Sequence, residues 1–316
     1  MERTALVLGA SGGIGGAVAR RLLASGWTVR ALAREGSMAR LPAGVAPVAG
    51  DAMDARAVLQ AARGAALVVH AVNPPGYRDW DRLVLPMLDN TVAAARANGA
   101  RILLPGTVYN YGPDAFPLIG EDAPQNPATR KGRIRAEMER RLREAAQTGE
   151  TQVLVVRAGD FFGPQAGNSW FAQGLVPPGR RPRAIRNPAA RGVGHQWAYL
   201  PDVAETMVRL VERGELGGFE RFHMEGHWDA DGTRMTGAIV EALGSPAVPV
   251  RPLPWWALRL AAPFNETVRE LLEMRYLWRR PVRMTNARLV ARLGEEPRTP
   301  LAEAVRATLA ANRCLA

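Results

Sequence analysis

Cysteine is almost absent from this chain of 316 residues: Cys314, near the C-terminus, is the single one. A lone cysteine forms no internal bridge, so a disulfide scaffold is excluded and the core must come from packing. Lysine is equally scarce. Of 41 Lys and Arg residues, only Lys131 is a lysine. The arginines are scattered, so the net charge of +11 reads as an arginine-rich coding background rather than a surface built for phosphate backbones, and no nucleic-acid partner is expected. No apolar run reaches the roughly 18–20 residues needed to cross a bilayer, and the first residues pass straight into a strand without a leader-peptide pattern. No membrane partner and a reducing, cytoplasmic setting are expected. Neither the 32 glycines nor the 24 prolines recur at a fixed period, which excludes collagen-like chains.

What remains is a hydrophobic fraction of 47% against 22% charged, enough for a large core. Residues 4–8 form an apolar strand, 9–15 a glycine-rich turn, 17–25 a helical pattern stopped by Gly26, and 27–33 a second strand. Helical patterns around 55–63, 83–98 and 131–146 then alternate with strands at 66–72, 101–104 and 152–157. A helix at 203–213 and a strand at 220–224 continue the layer. Such alternation predicts an α/β fold with a Rossmann-type doubly wound parallel sheet. The dinucleotide-binding domain covers 1–164 and is completed by about 196–225; residues 165–195 and 226–316 form a smaller, mostly helical C-terminal substrate region.

Gly9, Ser11, Gly12, Gly13, Ile14 and Gly15 occupy the first strand-to-helix turn. Glycines there permit the sharp turn, the close approach of a pyrophosphate and the packing of helix on strand, with the phosphates on the helix N-terminus. Further segments follow in order: Gly50-Asp51 with Asp54, Val68-Val69-His70-Ala71, Val155 to Gly159 through Gly163-Pro164, Tyr199-Leu200-Pro201-Asp202, and a tail from Asn286 to Leu309. With these the chain resembles the extended short-chain dehydrogenase/reductase superfamily, in its epimerase/dehydratase-like branch. The resemblance implies that Asp51 and Ala52 lie by the adenine, and that Val72 and Asn73 flank the ribose on the nicotinamide side. Asp51 also reads as a turn-capping carboxylate. At the end of the second strand Arg34 stands where a carboxylate would favour NAD; a guanidinium suits a 2′-phosphate, so NADP(H) is the expected cofactor.

The same resemblance implies a hydroxylated residue after the fifth strand and a Tyr-x-x-x-Lys motif on the next helix, the phenol shuttling a proton and the lysine binding ribose. Thr107 fits the first position, ahead of Tyr111-Gly112. Aligning on Pro127 and Glu137 puts Thr129 in place of the Tyr and Arg133 in place of the Lys. An aliphatic hydroxyl is a far weaker acid than a phenol, so the proton relay must differ. Thr107, Tyr109, Tyr111, Thr129 and Arg133 are the candidate catalytic residues. Lys131, about 200° round the helix from Arg133, is expected to face solvent.

Other features have plainer readings. His70 is a core histidine. His223, His227, Asp229 and Asp231 lie on a strand end and loop that does not converge them, so no metal is expected. Arg180 to Arg191 read as a solvated basic loop. Trp255, Trp256, Leu258, Leu260, Phe264, Leu271, Tyr276 and Trp278 read as core, some lining a pocket for an apolar or aromatic small molecule. A homodimer through helices 83–98 and 131–146 is entertained, although the second is heavily charged. The leading expectation is an NADP(H)-dependent oxidoreductase acting on a small carbonyl or alcohol. The alternatives are a catalytically silent NADP(H) sensor and a sugar-nucleotide epimerase or dehydratase.

Overall fold

Short apolar runs buried on both faces build the centre of the molecule. The structure is a computed structural model and describes residues 3–74, 76, 78–167, 169–245 and 247–315. Strand and helix alternate through β1 (Thr4–Leu8), α1 (Gly13–Ala24), β2 (Thr28–Ala33), the short α2 (Glu35–Met38), β3 (Ala46–Ala49), α3 (Ala55–Ala61), β4 (Leu67–His70), α4 (Trp80–Asn98) and β5 (Arg101–Gly106). A two-residue strand, β6 (Leu118–Ile119), precedes α5 (Arg130–Gln147), β7 (Gln152–Arg157) and β8 (Asp160–Phe162). Then come β9 (Ile185–Asn187), β10 (His195–Tyr199), α6 (Leu200–Arg213), β11 (Phe219–His223), β12 (His227–Asp229) and α7 (Arg234–Ala242). The tail holds β13 (Val250–Pro252), α8 (Trp255–Ala261), α9 (Glu266–Glu273), β14 (Arg283–Met284), α10 (Ala287–Leu293) and α11 (Leu301–Ala311).

Seven strands make one parallel sheet in the order β11-β7-β5-β4-β1-β2-β3. Parallel strands need helical crossovers, and these cover both faces. One face packs Val18 and Leu22 of α1 against Met207 and Leu210 of α6. The other packs Val58 of α3, Leu88 of α4, and Met138 and Leu142 of α5. Pro47 is tolerated because β3 is an edge strand. Asp54 starts α3 by accepting the N–H groups of Arg56 (2.9 Å) and Ala57 (3.2 Å).

The C-terminal region is mostly helical, carrying α7 to α11, and short strands tie it to the nucleotide half: β12 joins β10 and β8 in a three-stranded sheet, β14 pairs with β6, and β13 pairs with β9. Strands of two to five residues are too short to leave a readable period. The aromatic stretch is split. Trp278 is buried and stacks on His195 with ring centroids 3.6 Å apart, and Tyr276 stacks on Phe116. Trp256, Leu260 and Phe264 point outward, 71%, 69% and 91% exposed. The arginines at 180, 181, 183, 186 and 191 are exposed, as the basic-loop reading has it.

Candidate active site

The turn from β1 into α1 makes an approach that only glycine permits. Gly9 has φ +89°, and a Cβ on it would lie 2.5 Å from the carbonyl oxygen of Ala71, just past β4. A Cβ on Gly15 would lie 2.3 Å from the Gly9 carbonyl oxygen. α1 therefore starts tight against the sheet, at Gly13, with no side-chain cap and no acidic residue in its first turn. The N–H groups of that turn and the helix dipole are presented to an anion. Ser11 is half-buried, Gly12 is exposed and Ile14 packs on the core. This bare, uncapped cradle fits a dinucleotide pyrophosphate.

Arg34 follows β2 and brings its Nε to 3.9 Å from Asp51 Oδ2, with both side chains largely in solvent. Exposed pairs of this kind hold weakly and yield readily to a ligand. The other Asp51 oxygen accepts the Met53 N–H at 2.9 Å, the turn-capping role. Ala52 is buried, its carbonyl bonded to Asn90 Nδ2 at 2.9 Å. Val72 and Asn73 are half-buried beyond β4. His70 is a core residue: its Nδ1 lies 2.7 Å from Thr91 Oγ1, and burial lowers its pKa to about 3.

Thr107 follows β5, half-buried, and its Oγ1 donates to Asn110 Oδ1 at 3.3 Å. Tyr109 and Tyr111 are both buried. Tyr111 has no exposed surface; its hydroxyl lies 3.1 Å from His223 Nε2, and the Arg157 guanidinium sits 4.9 Å over its ring. Burial raises the Tyr111 pKa, against the opposing pull of Arg157 and Arg221. Behind it lies a buried polar network not foreseen from the sequence. Glu139 accepts from Arg157 (2.5 Å), Asn110 (3.0 Å) and Gln125 (2.7 Å). His223 belongs here: burial, then Arg157 and Arg221, push its pKa well down, so the ring is neutral. The signal for this network was a charged residue ending an otherwise apolar strand, Val153 to Arg157.

α5 overturns one sequence expectation, the placement of its lysine. Thr129 is the helix cap, its Oγ1 accepting the Gly132 N–H at 3.0 Å, and Arg133 is exposed. Lys131, expected in solvent, is fully buried instead. The inward face carries Lys131, Arg135 and Glu139 at four-residue spacing, which keeps them on one side of the helix. The motif alignment rests on Glu137, two residues before the acid that faces the core, Glu139. Glu137 turns outward, and hydrogen bonds from Arg140 and Arg141 hold its pKa to about 2; Glu139 is the buried one. The helix seats closely because position 132 is glycine, where a Cβ would lie 2.3 Å from the Tyr109 carbonyl oxygen. Arg135 then reaches Asn73 Oδ1 at 3.4 Å, and its guanidinium lies 5.0 Å over the Trp80 ring. α9 closes over this end: Thr267 Oγ1 donates to the Gly76 carbonyl at 3.1 Å, and Glu270 and Glu273 meet Lys131. The glycine turn, Asn73, Thr107 and the start of α5 thus gather beyond the carboxyl ends of β1, β4 and β5, the ligand crevice of a doubly wound sheet. Among the described residues, no group of three His, Cys, Asp or Glu side chains could hold a metal ion.

Known proteins agree with this geometry. The chain is 34% identical over 180 residues to a 3-diazoavenalumate denitrifying reductase of Streptomyces, a match spanning 51% of this chain and 57% of that one. Among solved structures, a Thermotoga maritima UDP-glucose 4-epimerase with UDP-glucose superposes with TM-score 0.76 at 16% identity, over 98% of both chains. The Thermus thermophilus UDP-glucose 4-epimerase complexed with NAD superposes with TM-score 0.72 at 22% identity, over 98% of this chain and 99% of that one. Residues 5–222 match the NAD dependent epimerase/dehydratase family. A parallel seven-stranded sheet, a glycine cradle at its first turn and a sequence match over most of the chain converge, and the protein belongs to the NAD-dependent epimerase/dehydratase family.

Proposed function

We propose that the protein is an NADP(H)-dependent oxidoreductase that reduces a small organic carbonyl or a comparable electrophilic carbon. The observation that carries this reading is the crevice itself, where the uncapped start of α1 at Gly13 and the Arg135–Asn73 contact at 3.4 Å would frame the pyrophosphate and the nicotinamide half of a dinucleotide. Gly9, Ser11, Gly12, Gly13, Ile14 and Gly15 would hold the pyrophosphate, Asp51 and Ala52 the adenine side, and Val72 and Asn73 the nicotinamide-side ribose. The nicotinamide supplies the hydride. The resemblance to a reductase over about half of this chain supports reduction rather than epimerisation. Epimerisation also needs one group to take a proton and return it, and the buried Tyr111 and the capping Thr129 are poorly placed for that.

Arg34 supports the phosphorylated cofactor. Its guanidinium is mostly exposed and only loosely held by Asp51, so it is available to a 2′-phosphate. Thr107, half-buried after β5, would donate its hydroxyl to the substrate oxygen. The direct test is fluorescence titration with NADPH and NADH, followed by the loss of NADPH absorbance on adding aromatic aldehydes and ketones. Tighter NADPH binding with substrate-dependent oxidation is expected. Binding of neither nucleotide refutes the reading.

A further inference from the structure

The one amine side chain of the sequence is locked inside the crevice. Lys131 has no exposed surface, and its Nζ donates to the main-chain carbonyl of Glu270 (3.1 Å), to the Glu270 carboxylate and to Glu273 Oε2 (2.8 Å). The first turn of a helix is an unfavourable place for a cation, because its N–H groups already carry positive charge. Here Arg130, Lys131 and Arg133 stand together in that turn, and it contains no acid. Glu270 and Glu273 of α9 offset the charge. If the purpose were only to fasten α9 to α5, Arg130 would serve, since it pairs with the same Glu270 and needs no burial.

Lysine differs from arginine in one relevant property. A guanidinium does not release its proton in a protein, whereas an ammonium can. Among the 41 lysine and arginine residues, this is the one side chain able to act as an acid, and it sits where the hydride would move. Gly132 rests on the Tyr109 carbonyl, and Arg135, one turn beyond Lys131, reaches Asn73 past β4. The face of α5 that carries Lys131 therefore lies over the carboxyl ends of β4 and β5, where the nicotinamide half of a dinucleotide falls.

We propose that Lys131 is the proton donor of the reduction, with Glu270 and Glu273 as positioning residues; this rests on the oxidoreductase reading above. A hydride passes from C4 of the dihydronicotinamide to the carbonyl carbon. The C=O π pair moves onto oxygen and takes a proton from Lys131 Nζ, and the N–H bonding pair stays on nitrogen. An alcohol, an oxidised nicotinamide and a neutral amine result, and the amine recovers a proton from water once the alcohol leaves. The substrate oxygen takes the place of the Glu270 main-chain carbonyl, 3.1 Å from Nζ. The carboxylates of Glu270 and Glu273 from α9 face the ammonium, and Arg130 of α5 shares Glu270 with it.

Because there is one lysine, ¹³C-lysine labelling gives a single Cε resonance in the native protein. It is expected to shift between the NADP+ and NADPH complexes, since reduction removes a positive charge beside it; an identical resonance in both overturns the proposal. Failure of either nucleotide to bind sinks the proposal and the oxidoreductase reading together. With 4-hydroxybenzaldehyde as the carbonyl probe, Lys131→Arg keeps the charge and the ion pairs but withholds the proton. It should retain the thermal midpoint and NADPH affinity while turnover falls at least about 100-fold; native turnover overturns the proposal. If Lys131→Arg does not fold, Glu273→Gln replaces it. Removing one carboxylate should move the alkaline limb of the pH–rate profile to lower pH, and an unmoved limb overturns the proposal. A native protein that binds NADPH but reduces no carbonyl overturns the oxidoreductase reading and the proton-donor role with it, whereas native turnover with an active Lys131→Arg overturns the proton-donor role alone.

Discussion

Arg157 and Glu139 form an ion pair at 2.5 Å with neither side chain reaching solvent. One ends β7 and the other lies midway along α5, so the pair bolts a crossover helix to the sheet beside Thr107, whose carbonyl Arg157 also holds. Breaking one half of such a pair strands the other charge in a dry interior. Glu139→Ala should cost about 3–5 kcal/mol of stability, read from urea unfolding. A loss below about 1 kcal/mol would show that water enters the network.

The cofactor preference hangs on Arg34. Arg34→Asp should weaken NADPH binding roughly tenfold or more, the worth of one charge-assisted contact, with little effect on NADH. An unchanged ratio of the two affinities would remove Arg34 from the 2′-phosphate site.

Thr107→Val removes the hydroxyl while keeping the volume. It should lower turnover at least about tenfold and leave NADPH affinity nearly unchanged. Tyr111→Phe, by contrast, should act on stability, because its hydroxyl is buried against the neutral His223 and Arg157. If Tyr111→Phe abolishes turnover without loosening the fold, the proton path runs through the phenol instead.

Acid should unfold the protein by a histidine route. Burial lowers the pKa of His70 to about 3 and of His227 to about 4, from an ordinary 6.5, and lowers that of His223 as well. The unfolded chain binds these protons first, so the stabilisation is complete above about pH 6.5 and drains away as pH falls toward 4. The expected slope approaches about 1.4 kcal/mol per pH unit for each histidine taking part. His227→Gln should flatten the curve of thermal midpoint against pH; an unaltered curve would clear that histidine.

Two surfaces are candidates for self-association. The helix pair expected from the sequence, α4 with α5, presents Arg96, Arg141 and Glu144, whereas Trp256, Leu260 and Phe264 present bare apolar surface. Phe264→Ser should reduce any dimer seen by light scattering and leave NADPH affinity alone. Loss of the dimer on substituting Arg141 instead would restore the helix-pair arrangement.

The alternation of strand and helix was legible because a parallel sheet, buried on both faces, writes short uninterrupted apolar runs between amphipathic helices, as in residues 5–8 and 67–69. The glycine turn was legible for a related reason, since Gly9 and Gly15 meet steric demands that are local in sequence. Lys131 was not. Its burial depends on Glu270 and Glu273, which lie some 140 residues further along, and nothing in residues 127–139 tells which of Glu137 and Glu139 turns inward. The buried Arg157–Glu139 pair was hidden in the same way, each charge looking anomalous until its partner is known. Strands such as β8 and β9 are too short to carry a pattern.

The pairing of β6 with β14 has a consequence for how the molecule comes apart. It ties residues 118–119 to 283–284, and two other late attachments reinforce it: Glu296 accepts the N–H groups of Glu225 (2.8 Å) and Gly226 (2.7 Å), and Thr299 bonds both oxygens of Asp202. The last fifth of the chain is thus laced back through the nucleotide half rather than hung from it. Neither part has a clean seam along which to melt, so both should be lost in one cooperative step, and a ligand that tightens the crevice should raise the melting temperature of the whole.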